Sequence, residues 1–593
     1  MQTNDADLTE TQADRPGIAG PEVAASRAAE TSAPRTAETA ALRTTGPGPQ
    51  LMDGIASGAA LIAGLTLASR ILGLVRTLTF SQTVGSGCLG TVYVTAYQVP
   101  NLLSELVLAG ALTNAMVPVL ARSAAVANVD AAARARVSAI SSAMLTWTLL
   151  LLLPLTVGVV LAAGPIATIL NPANGHSQCV RSEMVGATGS MLEVFAPQVV
   201  LYGLSVVIFG MLQAYRRFTG PALAPIIASL VLITAYLVFV PLDSGAALGR
   251  APSQALLVLS VGTTLSVAAL VVVGLVPMRR LGLRLRPTLR LPKGLAGRIG
   301  GLALVGVLEF VANDIAAVVI IILANGHGDT GALVVFNYAT LVFNAVTAVL
   351  TLSITTSAFP VMSARDGADF DRTCAGSTRA VLLMSWLGTA AMAVIAVPAA
   401  RVLVHSGQQA ALIEGFIAFA PGIAGTAVIT NLSRVMFALG RLRAAGLALT
   451  LNWVLVIALD WVMTQFVPAH LEVAALALGN TIGQTAVAIP LVIATRRARG
   501  RAAIDGIWHA CIAGFLACVG ASAAGFAVIH ELLPPPADAG KLLDAGVALV
   551  AAAAAVVAFF LAAFVLDRGD LRSMTRQVVS RLMQSRSRRE PRA

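Results

Sequence analysis

The sequence predicts an all-α polytopic membrane protein of about fourteen transmembrane helices, in two six-helix halves with two extra helices at the C-terminal end. Three observations predict it. The 593 residues are 57% hydrophobic and only 12% charged, against about 25% charged in a soluble globular chain. From residue 55 onward the apolar residues gather into fourteen stretches, each long enough to cross a ~30 Å hydrocarbon core. The basic residues fall almost entirely in alternate connections, as the positive-inside rule requires.

Taken in order, residues 1–50 are rich in Ala, Thr, Glu and Pro without apolar periodicity, and predict a disordered cytoplasmic tail. The N-terminal half, 51–276, holds spans near 55–80, 90–120, 138–170, 184–213, 220–241 and 252–276. A basic linker follows at 277–298. The C-terminal half, 299–500, holds spans near 297–324, 331–360, 376–400, 409–439, 444–467 and 472–495. The additional pair in 501–566 lies near 507–530 and 542–566, and 567–593 is a basic cytoplasmic tail. That tail places Arg568, Arg572 and Arg576 at i, i+4, i+8, a spacing that suits a surface helix held by anionic membrane lipids; a solvated polybasic tail is the alternative.

With the N-terminus cytoplasmic, the inner connections carry twenty-one basic residues and the outer ones four: Arg181, Arg250, Arg401 and Lys541. Both termini then lie in the cytoplasm of a plasma-membrane protein. The net charge of +11 is thereby topological and does not indicate nucleic acid. The halves echo each other weakly. Pro118–Arg122 closes the second helix as Pro360–Arg365 closes the eighth, and Gly64–Leu67 corresponds to Gly301–Leu304. An even offset of six helices gives parallel repeats, with substrate bound between them.

The most informative stretch runs from Ser69 to Arg122. It contains Ser69-Arg70-Ile71-Leu72-Gly73-Leu74-Val75-Arg76, then Pro100-Asn101-Leu102-Leu103, then Pro118-Val119-Leu120-Ala121-Arg122. Arg70 stands inside an apolar run, and a guanidinium in hydrocarbon costs about 2.5–3.5 kcal/mol even on insertion scales. Such a group is kept where it faces a protein interior or a water-filled cavity. Arg76 lies about 9 Å further along the helix and about 120° around it, so both can border one wide cavity but not one narrow stripe. Two readings are open. Arg70 pairs with an acid such as Glu105 while Arg76 snorkels to the surface, or both offer bidentate charge to a phosphate.

These elements, in this order, resemble the MurJ/MviN family of lipid II flippases, within the MOP exporter superfamily. The resemblance implies a flippase that moves a polyprenyl-pyrophosphate-linked cell-wall precursor, lipid II, from inner to outer leaflet by alternating access, for peptidoglycan synthesis. Arg70 and Arg76 would bind the pyrophosphate, an ion or the membrane potential would drive transport, and the extra helix pair would hold a lipid tail. The chain departs from the family pattern at four places. Thr91 replaces an acid, Ser104 and Glu105 replace basic residues, Ala109 replaces an acid, and Thr340 with Leu341 replaces an Asp-Arg pair. These departures keep two alternatives open: another lipid-linked glycan or amphiphile as cargo, or a transport-inactive membrane scaffold for cell-wall synthesis proteins.

Ionisable groups inside spans are functional candidates by default, whereas Asn and Gln often only join helices. Glu105, Asn114, Glu309 and Asn313 are candidates for a polar cavity lining. Glu309 and Asn313 share a helical face at i, i+4, and Asp314 lies about 140° off it. Asp314, with Asn452 or Asp460 from the eleventh span, is the candidate cation group. Asn337, Asn344 and Gln484 are also intramembrane, and read as helix-joining. No phosphate loop, zinc-protease motif or nucleophile elbow in a fitting context occurs, so neither an enzyme nor a bound cofactor is expected. The five cysteines form no CxxC pair, so no metal site is expected. Cys88 and Cys179 both fall in outer connections, but helix-end positions rarely meet the ~4.4–6.8 Å Cα separation of a disulfide, so no bond between them is expected.

Overall fold

The computed structural model describes residues 49–108, 131–243, 248, 253–283, 285–289, 295–533 and 540–566, and of these the side chains outside 49–63, 105–108, 295–306 and 352. Among them the regular elements are all helical. The first bundle contains α1 (Pro49–Thr83), α2 (Cys88–Leu108), α3 (Ala131–Leu161), α4 (Ala163–Leu170), α5 (Arg181–Phe195), α6 (Gln198–Ala214), α7 (Thr219–Phe239) and α8 (Ser253–Arg279). The second contains α9 (Leu295–His327), α10 (Ala332–Thr347), α11 (Ser353–Ser363), α12 (Gly367–Leu403), α13 (Gln409–Phe419), α14 (Gly422–Ala438), α15 (Leu442–Thr464) and α16 (Glu472–Arg499). Two further helices, α17 (Ile507–Leu532) and α18 (Lys541–Leu566), pack on each other and on α12. The chain divides into two compact units between Ala63 and Gly64; of the first only the opening of α1 is described, and the second holds all the other helices.

Eleven helices among the described residues are long and apolar enough to cross a membrane, or twelve if Ser406–Phe419 and Gly422–Ala438, bent by 42°, form one span. The protein is an all-α multi-pass membrane protein. Fourteen spans are not reached among the described residues; those expected near 55–80 and 90–120 coincide with α1 and α2, whose side chains are described only in part. Residues 1–48 of the tail expected at 1–50, the tail expected at 567–593 and the expected site residue Asn114 lie outside the described residues, as do the side chain of Glu105 and the whole of Ala109; Pro49 and Gln50 open α1.

Hydrocarbon cannot satisfy a polar group, so backbone groups and hydroxyls are favoured to pair within the protein. The helices do this locally. The hydroxyls of Thr77, Thr91, Thr95, Thr263 and Thr347 each donate to the carbonyl four residues earlier. Apolar burial gives helices little reason to associate in lipid, and close approach of small residues supplies packing instead. At the α7–α8 contact a methyl placed on Gly262 would sit 2.3 Å from Ala235 Cβ. Between α10 and α11 the chain makes a π-helical turn at Ala348–Leu352, a distortion often found beside functional sites.

The fold corrects one expectation from the sequence: Cys88 and Cys179 are joined in a disulfide, with Cα atoms 5.6 Å apart. Cys88 opens α2, and Cys179 lies two residues before α5. These helices pack side by side and start at the same end of the bundle, which brings together two helix ends 91 residues apart in sequence.

Candidate functional site

A cavity of about 320 Å³ lies where α9, α10, α13, α15 and α16 of the second bundle meet α2 of the first. Asn313 comes from α9, Asn337, Thr340 and Asn344 from α10, and Asn480 and Gln484 from α16. Gln98 of α2 completes the polar lining, while Trp453, Phe336, Phe343 and Phe419 supply aromatic walls. No ionisable side chain is among the described lining residues. Several of these amides are already fixed. Gln484 donates to Asn480 Oδ1 and accepts from the Thr426 hydroxyl, and Asn313 Nδ2 donates to Asp314 Oδ1 at 3.3 Å. Asn337 Nδ2 is held by Leu333 O at 2.8 Å.

Asn313, a candidate from the sequence, is among the lining residues. Glu309, one turn earlier on α9, is half-buried and is not among the lining residues. Asn337, Asn344 and Gln484, which read from the sequence as helix-joining groups, line the cavity, and Gln98 and Asn480 join them. The departure at Thr340 also falls there, whereas Leu341 turns away and is 36% exposed.

The two arginines separate. Arg70 is exposed and makes no ion pair with a described residue. Arg76 is half-buried and acts electrostatically on the hydroxyls of Tyr93, Tyr202 and Tyr236. Those tyrosines form a hydroxyl cluster inside the first bundle. Tyr93 Oη lies 3.0 Å from Tyr236 Oη and 2.8 Å from Thr263 Oγ1, and Tyr97 Oη lies 3.5 Å from Tyr202 Oη. Nothing in the sequence pattern singles out this cluster, because its members come from α2, α6, α7 and α8.

The candidate cation residues lie on two packed helices, Asp314 on α9 and Asn452 and Asp460 on α15, and all three are buried. A further acid missed by sequence reasoning stands beside them. Glu472, the first residue of α16, is 0% exposed, as is Asp460, and the two interact electrostatically. None of their four carboxylate oxygens has a hydrogen-bond partner. A methyl on Gly479 would meet Asp460 Oδ1 at 2.0 Å, so the glycine makes room for the carboxylate. No group of three or more His, Cys, Asp or Glu side chains arranged to hold a metal occurs among the described residues.

Hydrogen bonds between the two bundles gather at the disulfide end, among the described residues. Asn174 Nδ2, on the loop before Cys179, donates to Asn325 O and Gly328 O, both at 2.8 Å. The Gln178 amide donates to Thr330 Oγ1 at 2.9 Å, and Asn325 Nδ2 donates to Thr95 Oγ1 at 3.0 Å. Gln408 Nε2 reaches both Ser86 O at 3.0 Å and Thr330 O at 2.7 Å. Ser81 donates to Leu403 O. Gly331, at φ +89°, fits here because a methyl would lie 1.9 Å from Ser86 O. A second hollow of about 430 Å³ sits at this seam, lined in part by His176, His327, Asp329 and His470.

The comparisons with known proteins agree with this architecture. The family profile described as Lipid II flippase MurJ matches residues 80–533. A lipid II flippase MurJ of Burkholderia cenocepacia is 30% identical over 181 residues, covering 30% of this chain and 33% of that protein. A probable lipid II flippase MurJ of Synechocystis is 29% identical over 247 residues, 40% of this chain and 43% of that protein. The chain thus aligns with about a third to two-fifths of the length of these relatives. Among solved structures, a lipid II flippase MurJ in an inward closed conformation superposes with TM-score 0.66 at 15% identity, covering 86% of this chain and 99% of that one. A MATE-family multidrug transporter of the MOP superfamily, inward-facing, gives 0.59 over 74% of this chain and 95% of that one. With the profile covering most of its length and the fold in agreement, the chain belongs to the MurJ lipid II flippase family.

Proposed function

We propose that the chain is a flippase that moves a polyprenyl-pyrophosphate-linked saccharide, lipid II, from the inner to the outer leaflet by alternating access. The observation that carries this reading is the pairing of a polar cavity between the bundles with a seam hydrogen-bonded at one end. Such an arrangement suits a transporter whose closed end must open in the other half of its cycle. The twenty-one to four division of basic residues supports cytoplasmic termini, which puts the disulfide and the seam on the outer side, where oxidation of Cys88 and Cys179 is favoured.

Arg76, set against a hydroxyl cluster, is the better placed of the two arginines to bind a pyrophosphate. Arg70, exposed nearer the start of α1, would meet it during entry. Asp314, Asn452 and Asp460 would hold the driving cation, with Glu472 beside Asp460. The basic tail would rest on anionic lipids, and cell-wall synthesis proteins would receive the product.

The neutral cavity lining favours a second reading, in which the same fold carries a different lipid-linked glycan. Expression of the chain in a strain depleted of its own lipid II flippase separates these. Rescue of growth supports lipid II as cargo. Failure at normal membrane abundance rejects it and leaves the second glycan or a scaffold role.

A further inference from the structure

The amide-lined cavity has free valences that the fold does not use. Asn344 is exposed into it and makes no hydrogen bond to a described residue, and Gln98 makes none either. Asn337 spends its Nδ2 on Leu333 O and accepts from no described residue. Asn480 accepts at Oδ1 and donates to no described residue. The Thr340 hydroxyl is enclosed and has no partner. Five polar side chains from three helices thus converge with unfilled hydrogen-bonding capacity, beside Trp453 and three phenylalanines.

Leaving the enclosed Thr340 hydroxyl unpaired is costly, and the chemistry of the five groups defines what would pair them. An amide both donates and accepts, as hydroxyl and N-acyl groups do. A phosphate is charged and calls for cations beside it, and none is among the described lining residues. Amide oxygens can ligate a metal ion, but no carboxylate stands among the described lining residues to balance its charge. The Trp453 ring adds a flat apolar wall, the surface that suits the C–H face of a sugar ring. At about 320 Å³ the cavity is near the small end of ligand pockets, which run ~300–1,000 Å³, so it suits part of a head group and not the whole.

We infer that this cavity is a saccharide subsite, in which Asn337, Asn344, Asn480 and Gln98 hydrogen-bond an uncharged sugar of the cargo and Trp453 packs on its ring. The inference rests on the flippase reading for the identity of the cargo. It assigns the sugar mainly to the second bundle, with Gln98 of the first, and leaves the pyrophosphate to the arginines of the first. The neutral lining that distinguishes this chain from its family pattern then has a positive use: it reads hydroxyls and amides where a charged lining would not.

The test is native mass spectrometry of the full chain in detergent with two probes. One is undecaprenyl pyrophosphate; the other is the same lipid bearing an N-acetylated disaccharide without peptide. The wild-type protein is expected to hold the disaccharide lipid at least tenfold more tightly. Asn344→Leu and Trp453→Leu are expected to abolish that preference, while binding of the bare lipid changes less than twofold. Asn344→Gln, which keeps the amide, is expected to retain part of it. An unshifted melting temperature shows that each variant is folded. If a variant does not fold, labelling of a wild-type complex with a photoreactive sugar decides instead, and attachment outside α2, α9, α10, α13, α15 and α16 overturns the inference. Equal binding of the two lipids by wild type overturns the inference and leaves the flippase reading intact. Binding of neither lipid overturns both. Preference that survives in Asn344→Leu and Trp453→Leu also overturns the inference.

Discussion

At the scale of single residues, Arg76 and the Asp460–Glu472 pair carry the sharpest consequences. A pyrophosphate bound by Arg76 is held by charge-assisted bonds worth ~1.5–3 kcal/mol each, roughly ten- to a hundredfold in affinity. Arg76→Ala is expected to reduce transport by at least about tenfold without lowering abundance, and Arg76→Lys to recover only part, because an ammonium lacks the guanidinium fork. Rescue of a depleted strain, with protein quantified by blotting, checks it; full rescue by Arg76→Ala removes the arginine from the site. Asp460 and Glu472 are enclosed with all four oxygens unpartnered, which suits a place that a cation or proton visits. Asp460→Asn and Glu472→Gln are expected to leave the fold intact and to erase the dependence of transport on the cation gradient. Gradient dependence unchanged in both variants excludes the pair. Residue-scale legibility in the sequence was uneven for physical reasons. Asn313 was marked by its i, i+4 relation to Glu309, a purely local relation. Glu472 reads as an ordinary acid at a helix start, which is where the positive end of the helix dipole favours it, so nothing local separated it from a surface residue. The tyrosine cluster beside Arg76 is built from four helices and has no local signature.

At the scale of elements, the seam at the disulfide end is the feature that moves in the proposed cycle. Its loop between α4 and α5 bonds the second bundle through Asn174 and Gln178, and Cys179 ties that loop to the start of α2. Closing a loop of this length typically stabilises a protein by about 2–4 kcal/mol. Cys88→Ser is expected to lower the melting temperature, and alkylation of the native chain with and without reductant is expected to find two more reactive thiols after reduction. Equal thiol counts would show no disulfide. Gly331→Ala places a methyl at left-handed φ, ~1–2 kcal/mol by conformation alone, and against Ser86 O. It is expected to loosen the seam, so that a cysteine at Thr330 becomes more reactive. Reactivity equal to that in the parent would place the strain elsewhere. The sequence made the helices legible because apolar length alone marks a span. It left the disulfide illegible, since the parallel packing of α2 on α5 is a tertiary fact spanning 91 residues.

At the scale of the whole molecule, hydropathy made the class legible and the charge division carries the proposed orientation, while the count of spans is eleven or twelve among the described residues. The bundles meet through α2 against α9 and α10, and the polar cavity lies beside that contact. In a cysteine-free background, Arg286→Cys and Arg501→Cys are expected to resist an impermeant thiol reagent in intact cells, and His176→Cys to react. Labelling of the first two from outside would invert the orientation and with it the direction of transport. The motif from Ser69 to Arg122 made the family legible, because its elements are short and ordered. It could not make the cavity legible, since the groups lining it come mostly from α9, α10, α15 and α16, outside that stretch. The central claim is that this assembly carries a pyrophosphate-linked glycolipid between leaflets. Its most direct test is reconstitution of the purified chain in liposomes with lipid II placed in one leaflet, followed by an impermeant probe of its head group. The account predicts that head groups reach the opposite leaflet faster than in protein-free liposomes, and that Arg76→Ala returns the rate to that background. Translocation no faster than in protein-free liposomes, from protein shown to be folded and inserted, would contradict it.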